Sequence, residues 1–169
     1  MSTHIKISTI TVGVGGAASI DFTSIPATYT DLLLVLSGRG STASVTVGLR
    51  CTFNGSAVSY SGRYLQGDGA SASSGTSSTA SLYLGETVGS TATASVFSSQ
   101  SIYIPNYTSA NYKSVSSDSV SETNAVTIYA TLTAGLWSVT SAINQVTLFP
   151  TSGNFAQYSS ATLYGIKSS

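Results

Sequence analysis

The sequence predicts an all-β fold of about ten short antiparallel strands, at the spacing expected of sandwiches and barrels. Three observations carry this prediction: apolar and polar residues alternate with a period of two, turn residues separate the alternating runs, and no stretch has the pattern of an amphipathic helix. The 169 residues are enough for one domain with a substantial core. We therefore expect residues 1–169 to form a single domain.

The strand candidates share an alternation that places one set of side chains on a core and the other toward solvent or a neighbour. Alternating runs occur at residues 5–9, 45–50, 82–84, 102–104, 126–130, 146–150 and 163–167. Residues 31–37 (DLLLVLS) are instead apolar on both faces, which predicts a central strand.

Glycine and asparagine mark the turns between these runs. The tightest signals are at residues 13–16, 38–40, 54–55, 67–69 and 152–154. Residues 13–16 (GVGG) lie between two strand-like runs, so we interpret them as a hairpin turn and not as a dinucleotide-binding loop. Residues 67–78 (GDGASASSGTSS) contain nothing large enough to pack, and we expect a mobile surface loop there.

The composition limits the partners that the chain can have. Its net charge is +0, only 7% of its residues are charged, and its six basic residues are scattered singly. Nucleic-acid binding needs clustered basic residues, so we expect no nucleic-acid partner. The longest apolar run, residues 32–36, is far too short to cross a membrane. Cys51 is the only cysteine, and no secretory signal is evident, so we expect synthesis in a reducing cytosol.

The residues that catalysis and metal binding require are scarce. His4 is the only histidine, and its place beside the N-terminus argues against a catalytic triad, so we interpret it as an exposed or subunit-contact residue. One cysteine and one histidine do not make a zinc site. Asp118 and Glu122 are too far apart for a retaining glycosidase pair, and we expect them to solvate a turn or to pair with Lys113. We predict no enzymatic activity, no cofactor and no metal.

Six segments together resemble a family of small virion proteins of tailed phages. They are residues 24–40 (SIPATYTDLLLVLSGRG), 60–69 (YSGRYLQGDG), 101–109 (SIYIPNYTS), 113–122 (KSVSSDSVSE), 132–150 (LTAGLWSVTSAINQVTLFP) and 153–166 (GNFAQYSSATLYGI). The resemblance implies a structural protein of the virion with a jelly-roll-like β-sandwich, related to capsid decoration (cement) proteins and to domains of tail fibres. It also implies a homotrimer.

Two functions remain open at this stage. The favoured one is a capsid decoration protein, made in the host bacterial cytoplasm, that binds the major capsid protein on the capsid surface and stabilises the assembled shell. The alternative is a tail-fibre or receptor-binding module that recognises a host surface glycan, which the abundant tyrosines favour. For contacts between copies we single out four aromatic residues: Tyr107, Tyr112, Trp137 and Tyr158.

Overall fold

The computed structural model describes residues 3–77, 80–124 and 128–167. These residues form twelve β-strands: β1 (Thr3–Thr11), β2 (Ile20–Phe22), β3 (Asp31–Gly38), β4 (Thr46–Phe53), β5 (Tyr60–Gly67), β6 (Ala72–Ser77), β7 (Leu82–Val88), β8 (Ser98–Ile104), β9 (Lys113–Ser121), β10 (Tyr129–Trp137), β11 (Val146–Pro150) and β12 (Ser160–Lys167). The all-β prediction is confirmed, with two strands more than expected.

The strands form two antiparallel sheets, an arrangement consistent with the predicted β-sandwich. The larger sheet has the order β1-β12-β3-β8-β9-β10-β5-β6, and the smaller has the order β2-β11-β4-β7. Strand β3 is paired on both sides, so the prediction of a central strand is confirmed. The jelly-roll-like connectivity that the resemblance implies stays a prediction.

The two sheets enclose a core that is apolar along most of its length. On β3 the side chains of Leu32, Leu34 and Leu36 are buried, as the alternation requires. At one end, the ring of Trp137 packs edge-on against Phe53, with their centroids 5.6 Å apart, and is stacked on Tyr60 at 6.3 Å. This aromatic cluster joins β4 of the small sheet to β5 and β10 of the large sheet.

The core becomes polar where β7 lies over the large sheet. Ser117 Oγ on β9 donates a hydrogen bond to the Leu84 carbonyl of β7 at 2.8 Å, and Ser119 Oγ donates to the Glu86 carbonyl at 2.9 Å. A side chain at Gly85, where φ is +119°, would collide with Ser119. The close approach of β7 therefore depends on a glycine at that bulge and on small hydroxyl residues opposite it.

Two local predictions are wrong. Residues 13–16 do not close a hairpin, because β1 pairs with β12 in the large sheet and β2 pairs with β11 in the small one. The turn carries the chain from one sheet to the other. Residues 67–78 are not one loop, because Ala72–Ser77 forms strand β6 on the edge beside β5. Residue 78 of that segment, and residues 126–127 of the predicted run 126–130, lie outside the described residues.

Within the described ranges, no helix has the length and apolar character that crossing a membrane would require.

Candidate functional site: an open apolar sheet face

The large sheet turns one face to the core and leaves the other uncovered by any described part of the chain. Large apolar side chains stand on this outer sheet face, which we define by Val35, Leu65, Tyr103, Val120 and Leu132. Leu132 and Leu65 keep 58% and 55% of their surface exposed, and the other three keep between 37% and 42%. Five of the ten large apolar side chains that are exposed among the described residues thus lie on one face, and such a cluster is typical of an interaction site.

The register of the strands explains why these residues lie together. Leu132 on β10 is opposite Asp118 on β9 and opposite Leu65 on β5, so the three side chains form one row across the sheet. The row continues through Ser101 on β8 to Val35 on β3. Residues directly opposite one another on antiparallel strands have Cβ atoms about 5 Å apart, close enough for their side chains to touch.

A shallow groove follows β10 along this face. It consists of three adjoining depressions with volumes of about 500, 390 and 350 Å³. Its floor carries Ala130, Leu132 and Ala134, the outward-facing residues of β10. We call this feature the groove.

The groove contains few charges. Arg63 on β5 and Asp118 on β9 both line the largest of the three depressions, and Glu122 lines the smallest. The charges of Arg63 and Asp118 are opposite, so the largest depression has no net charge from them. The Arg63 guanidinium also donates a hydrogen bond to the Gly62 carbonyl at 2.9 Å.

Tyr103 lies at the edge of the groove, and a hydrogen bond to Asp31 on the neighbouring strand β3 fixes its side chain. Its hydroxyl donates a 2.7 Å hydrogen bond to Asp31 Oδ2, while Asp31 Oδ1 accepts from the Asn106 backbone N–H at 2.8 Å. The bond to the Asp31 carboxylate, which favours the protonated hydroxyl, raises the pKa of Tyr103. The tyrosine is therefore a fixed, neutral part of the surface.

The four aromatic residues singled out for subunit contacts fall into two classes. Trp137 is 2% exposed and Tyr107 is completely buried, and the Tyr107 hydroxyl donates to the Pro26 carbonyl. These two side chains belong to the core, so their assignment to a contact surface is wrong. Trp137 occupies an inward-facing position of strand β10, and Tyr107 lies in a loop that packs over the end of the sheet. Tyr112 and Tyr158 are exposed, and their contact role stays a prediction.

Tyr112 and Tyr158 do not form one patch. Tyr112 precedes Lys113, which lies opposite Trp137 at one end of the large sheet. Tyr158 precedes Ser160, which lies opposite Ser37 at the other end. A single partner surface of ordinary size would contact one of these tyrosines and not both.

The candidate chemical groups are not brought together. His4 is exposed on the edge strand β1. Asp118 is exposed on the outer face of β9, whereas Lys113 is buried on its inner face, so the expected pairing of the acids with Lys113 is wrong. Glu122 Oε1 accepts from the Asn124 N–H at 2.6 Å, as expected of a turn. No cluster of three or more potential metal ligands occurs among the residues that the structure describes.

Lys113 has a structural role instead. Its ammonium group donates to the carbonyl groups of Ser109, Asn111 and Thr140, which belong to two loops at the same end of the sheet. Burial lowers the pKa of Lys113 because it penalises the charged form. The lysine thus ties these loops together from within.

Arg39 has a similar role that the sequence did not predict. Its guanidinium donates to four carbonyl groups of the connection between β7 and β8, those of Ser90, Ala92, Thr93 and Val96, at 2.8–3.2 Å. A lone arginine after a strand gives no signal of such a role, because its acceptors are backbone atoms some fifty residues further along the chain.

One more polar cluster lies beside β7. The Tyr83 hydroxyl donates to Glu86 Oε1 at 2.8 Å, and the Arg50 guanidinium carbon lies 5.9 Å from the Tyr83 ring centroid. Burial raises the pKa of both Tyr83 and Glu86. No histidine, cysteine or second carboxylate is described at this cluster, and we interpret it as a brace between strands.

No family model, no curated protein and no solved structure matches the chain. Its function is therefore inferred from its own residues. The core does not include the apolar residues of the outer sheet face, so the stability of the fold does not explain why they are apolar.

Proposed function

We propose that this chain is a structural protein of a bacteriophage virion, a capsid decoration protein that binds the assembled capsid and stabilises it. The observation that supports the proposal most strongly is the outer sheet face, a wide apolar surface that no described part of the chain covers. The phrase-like resemblance to small phage virion proteins gives the biological setting. In this proposal the protein is made in the bacterial cytoplasm and acts, as a homotrimer, on the capsid surface.

The outer sheet face has the composition of a protein contact. Its centre is apolar, with Leu65 and Leu132 more than half exposed, and its charged residues are few. Interface centres are depleted in charge and enriched in apolar and aromatic side chains, whereas polar residues surround them. A sheet face with few charges also lets many copies crowd on one particle with little electrostatic cost.

Stabilisation of the shell follows from mass action. A protein that binds the assembled capsid, and not its separate subunits, shifts the equilibrium toward assembly by RT ln(1 + [L]/Kd). At a free concentration of 100 times Kd, this amounts to about 2.7 kcal/mol for each site. The chain needs no chemical step for this function, only a stable fold and a surface that recognises neighbouring capsid subunits.

A tail-fibre module that recognises a host glycan is the second candidate. The observation that favours it is the largest depression of the groove, which the ring of Tyr103 lines together with Arg63 and Asp118. Sugars stack on aromatic rings and hydrogen-bond to such polar groups. The apolar floor with Leu132 fits a protein partner better, so we rank this function second.

Co-sedimentation with the major capsid protein of the same phage tests the proposal. Purified protein is mixed with empty assembled shells and, separately, with unassembled capsid subunits. We expect it to pellet with shells at a saturating, fixed ratio, to leave unassembled subunits unbound, and to raise the melting temperature of the shells. Absence from the pellet together with binding on a glycan array would contradict the proposal and support the tail-fibre function.

A further inference from the structure

The chain turns directly after β4 at the dipeptide Asn54–Gly55. Both residues have a positive φ, +52° and +67° respectively. The Ser56 N–H donates a hydrogen bond to the Phe53 carbonyl at 2.9 Å and closes the turn. Two successive positive φ angles are what a type I′ turn requires, and asparagine followed by glycine is a pair that adopts it readily. The turn therefore depends on both residues.

The side chain of Asn54 is bound at both of its ends to the connection between β10 and β11. Its Nδ2 donates to the Ala142 carbonyl at 2.8 Å. Its Oδ1 accepts from the Asn144 N–H at 2.9 Å and from the Gln145 N–H at 3.1 Å. The backbone N–H of Asn54 donates to the Gln145 carbonyl at 3.1 Å. We call these four hydrogen bonds the Asn54 clamp.

The clamp holds an irregular segment against the body of the protein. Residues 138–145 belong to none of the described strands, so they have no ladder of backbone partners. Ile143, which is 1% exposed, anchors the segment in the core, and its N–H donates to the Tyr107 carbonyl at 3.0 Å. Segments of this kind open locally at a lower free energy than the strands of a core. The clamp is therefore a contact that can open while the rest of the fold stays closed.

An asparagine that precedes a glycine is prone to spontaneous deamidation. The Gly55 amide nitrogen loses its proton and attacks Cγ of Asn54, the bond from Cγ to Nδ2 breaks, and ammonia leaves with that proton. Water then opens the resulting succinimide ring at one of its two carbonyl carbons, which gives aspartate or isoaspartate. Glycine favours the attack because it has no side chain to shield its nitrogen. Among the asparagines of the sequence, Asn54 alone precedes a glycine.

We propose that Asn54 is a site of spontaneous deamidation and that the clamp controls the rate of the reaction. Ring closure brings Cγ of Asn54 onto the Gly55 nitrogen, and this needs a rotation of the side chain. An amide that is bound through both Oδ1 and Nδ2 is not free to rotate, so residues 142–145 must release it first. This chemistry belongs to the chain alone and is independent of the proposed function.

Deamidation would in turn keep the clamp open. Aspartate at position 54 retains an acceptor for the two N–H groups, but it has no donor for the Ala142 carbonyl, and its second carboxylate oxygen repels that carbonyl. Isoaspartate adds one carbon atom to the backbone, so the tight turn after β4 no longer fits. Either product releases residues 142–145, and the change is irreversible because ammonia is lost.

Mass spectrometry of digested peptides measures the rate of deamidation in the full chain at neutral pH. We expect Asn54 to react roughly tenfold or more slowly in the folded protein than in the chain unfolded by urea, because the clamp must open first. Ile143→Val, which shortens the anchor of the segment by one methyl group, should raise the rate in the folded protein by roughly two- to tenfold.

Ile102→Val is the matched control for this acceleration. Ile102 lies on β8, is 2% exposed and loses the same methyl group, but it does not belong to the clamped segment. The control variant should therefore deamidate at the rate of the wild type. Equal acceleration in both variants would show that the reaction follows global unfolding and would overturn the control by the clamp.

The effect of the product is tested by hydrogen exchange in Asn54→Asp. We expect the amides of residues 142–145 to exchange faster in this variant than in the wild type. Asn154→Asp makes the same change of charge at an exposed asparagine between β11 and β12, and it should leave their exchange unchanged. The proposal fails if the folded wild type deamidates at Asn54 as fast as the unfolded chain, or if Asn54→Asp leaves the exchange of residues 142–145 unaltered.

Discussion

At the scale of single residues, burial decides what an aromatic side chain can do. Trp137 and Tyr158 are both aromatic residues of a tyrosine-rich β-protein, yet the first is 2% exposed and the second 69%. In sequence the two look alike, because each lies near the end of a strand-like run. The register of β10 against β5 places Trp137 in the core, whereas the turn before β12 leaves Tyr158 on the surface.

The core position of Trp137 predicts a large loss of stability on truncation. Trp137→Ala should lower the free energy of unfolding by about 3–5 kcal/mol, because it leaves a cavity beside Phe53 and Tyr60. Trp137→Phe should cost clearly less, since the indole Nε1 has no described hydrogen-bond partner to lose. Urea unfolding of both variants measures the difference, and equal stability of Trp137→Ala and the wild type would contradict a core role.

The buried hydroxyl of Tyr60 predicts a loss of stability at high pH. It accepts a 2.7 Å hydrogen bond from the Phe53 N–H and donates to the Ser56 carbonyl, and burial raises the pKa of Tyr60 to about 12. The folded protein therefore holds this proton more tightly than the unfolded chain, whose tyrosine titrates near 10. The associated stability is complete below pH 10 and is lost as the pH rises toward 12.

Tyr60→Phe provides the control for this pH dependence. The variant should be less stable than the wild type at neutral pH, because the Phe53 N–H loses its acceptor. Its stability should then fall less steeply between pH 10 and pH 12 than that of the wild type. Parallel curves for the two proteins across this interval, from chemical unfolding at each pH, would show that Tyr60 does not titrate as described.

At the scale of elements, alternation of apolar residues predicted eight of the twelve described strands. It missed β2, β5 and β9, and it gave no sign at all of β6. That strand has the sequence ASSGTS, with no apolar pattern to detect, and its side chains are largely exposed. It exists because β5 offers it a full row of backbone partners and because Tyr64 packs over Gly75. A strand on a sheet edge needs backbone pairing more than it needs burial, and sequence patterns report only burial.

The turn before β6 depends on Asp68. Its Oδ1 accepts hydrogen bonds from the N–H groups of Ala70 and Ser71 at 2.9 and 2.7 Å, and these bonds lower the pKa of Asp68. Asp68→Ala should leave the core intact but loosen the hairpin, so hydrogen exchange in β6 should become faster. Asp68→Asn, which keeps an acceptor oxygen, should restore most of the protection. Unchanged exchange in Asp68→Ala would contradict a role in holding β6.

At the scale of the whole molecule, the all-β fold class could be predicted from the sequence, whereas the strand order and the candidate site could not. Period-two patterns indicate which side chains of a strand face inward, and they correctly predicted an all-β protein built from antiparallel sheets. The groove depends on strand order, since β10 lies between β9 and β5, and no local pattern encodes that neighbourhood. For the same reason, nothing in the sequence indicated that Leu65 and Leu132 lie together on the outer sheet face.

The central claim is that the outer sheet face makes protein–protein contact in a virus particle. Imaging the intact virion at a resolution that resolves strands tests it most directly. We expect the domain on the outside of the capsid, with the groove along β10 covered by a neighbouring protein chain. A domain found in the tail, or one on the capsid whose outer sheet face is open to solvent, would contradict the account.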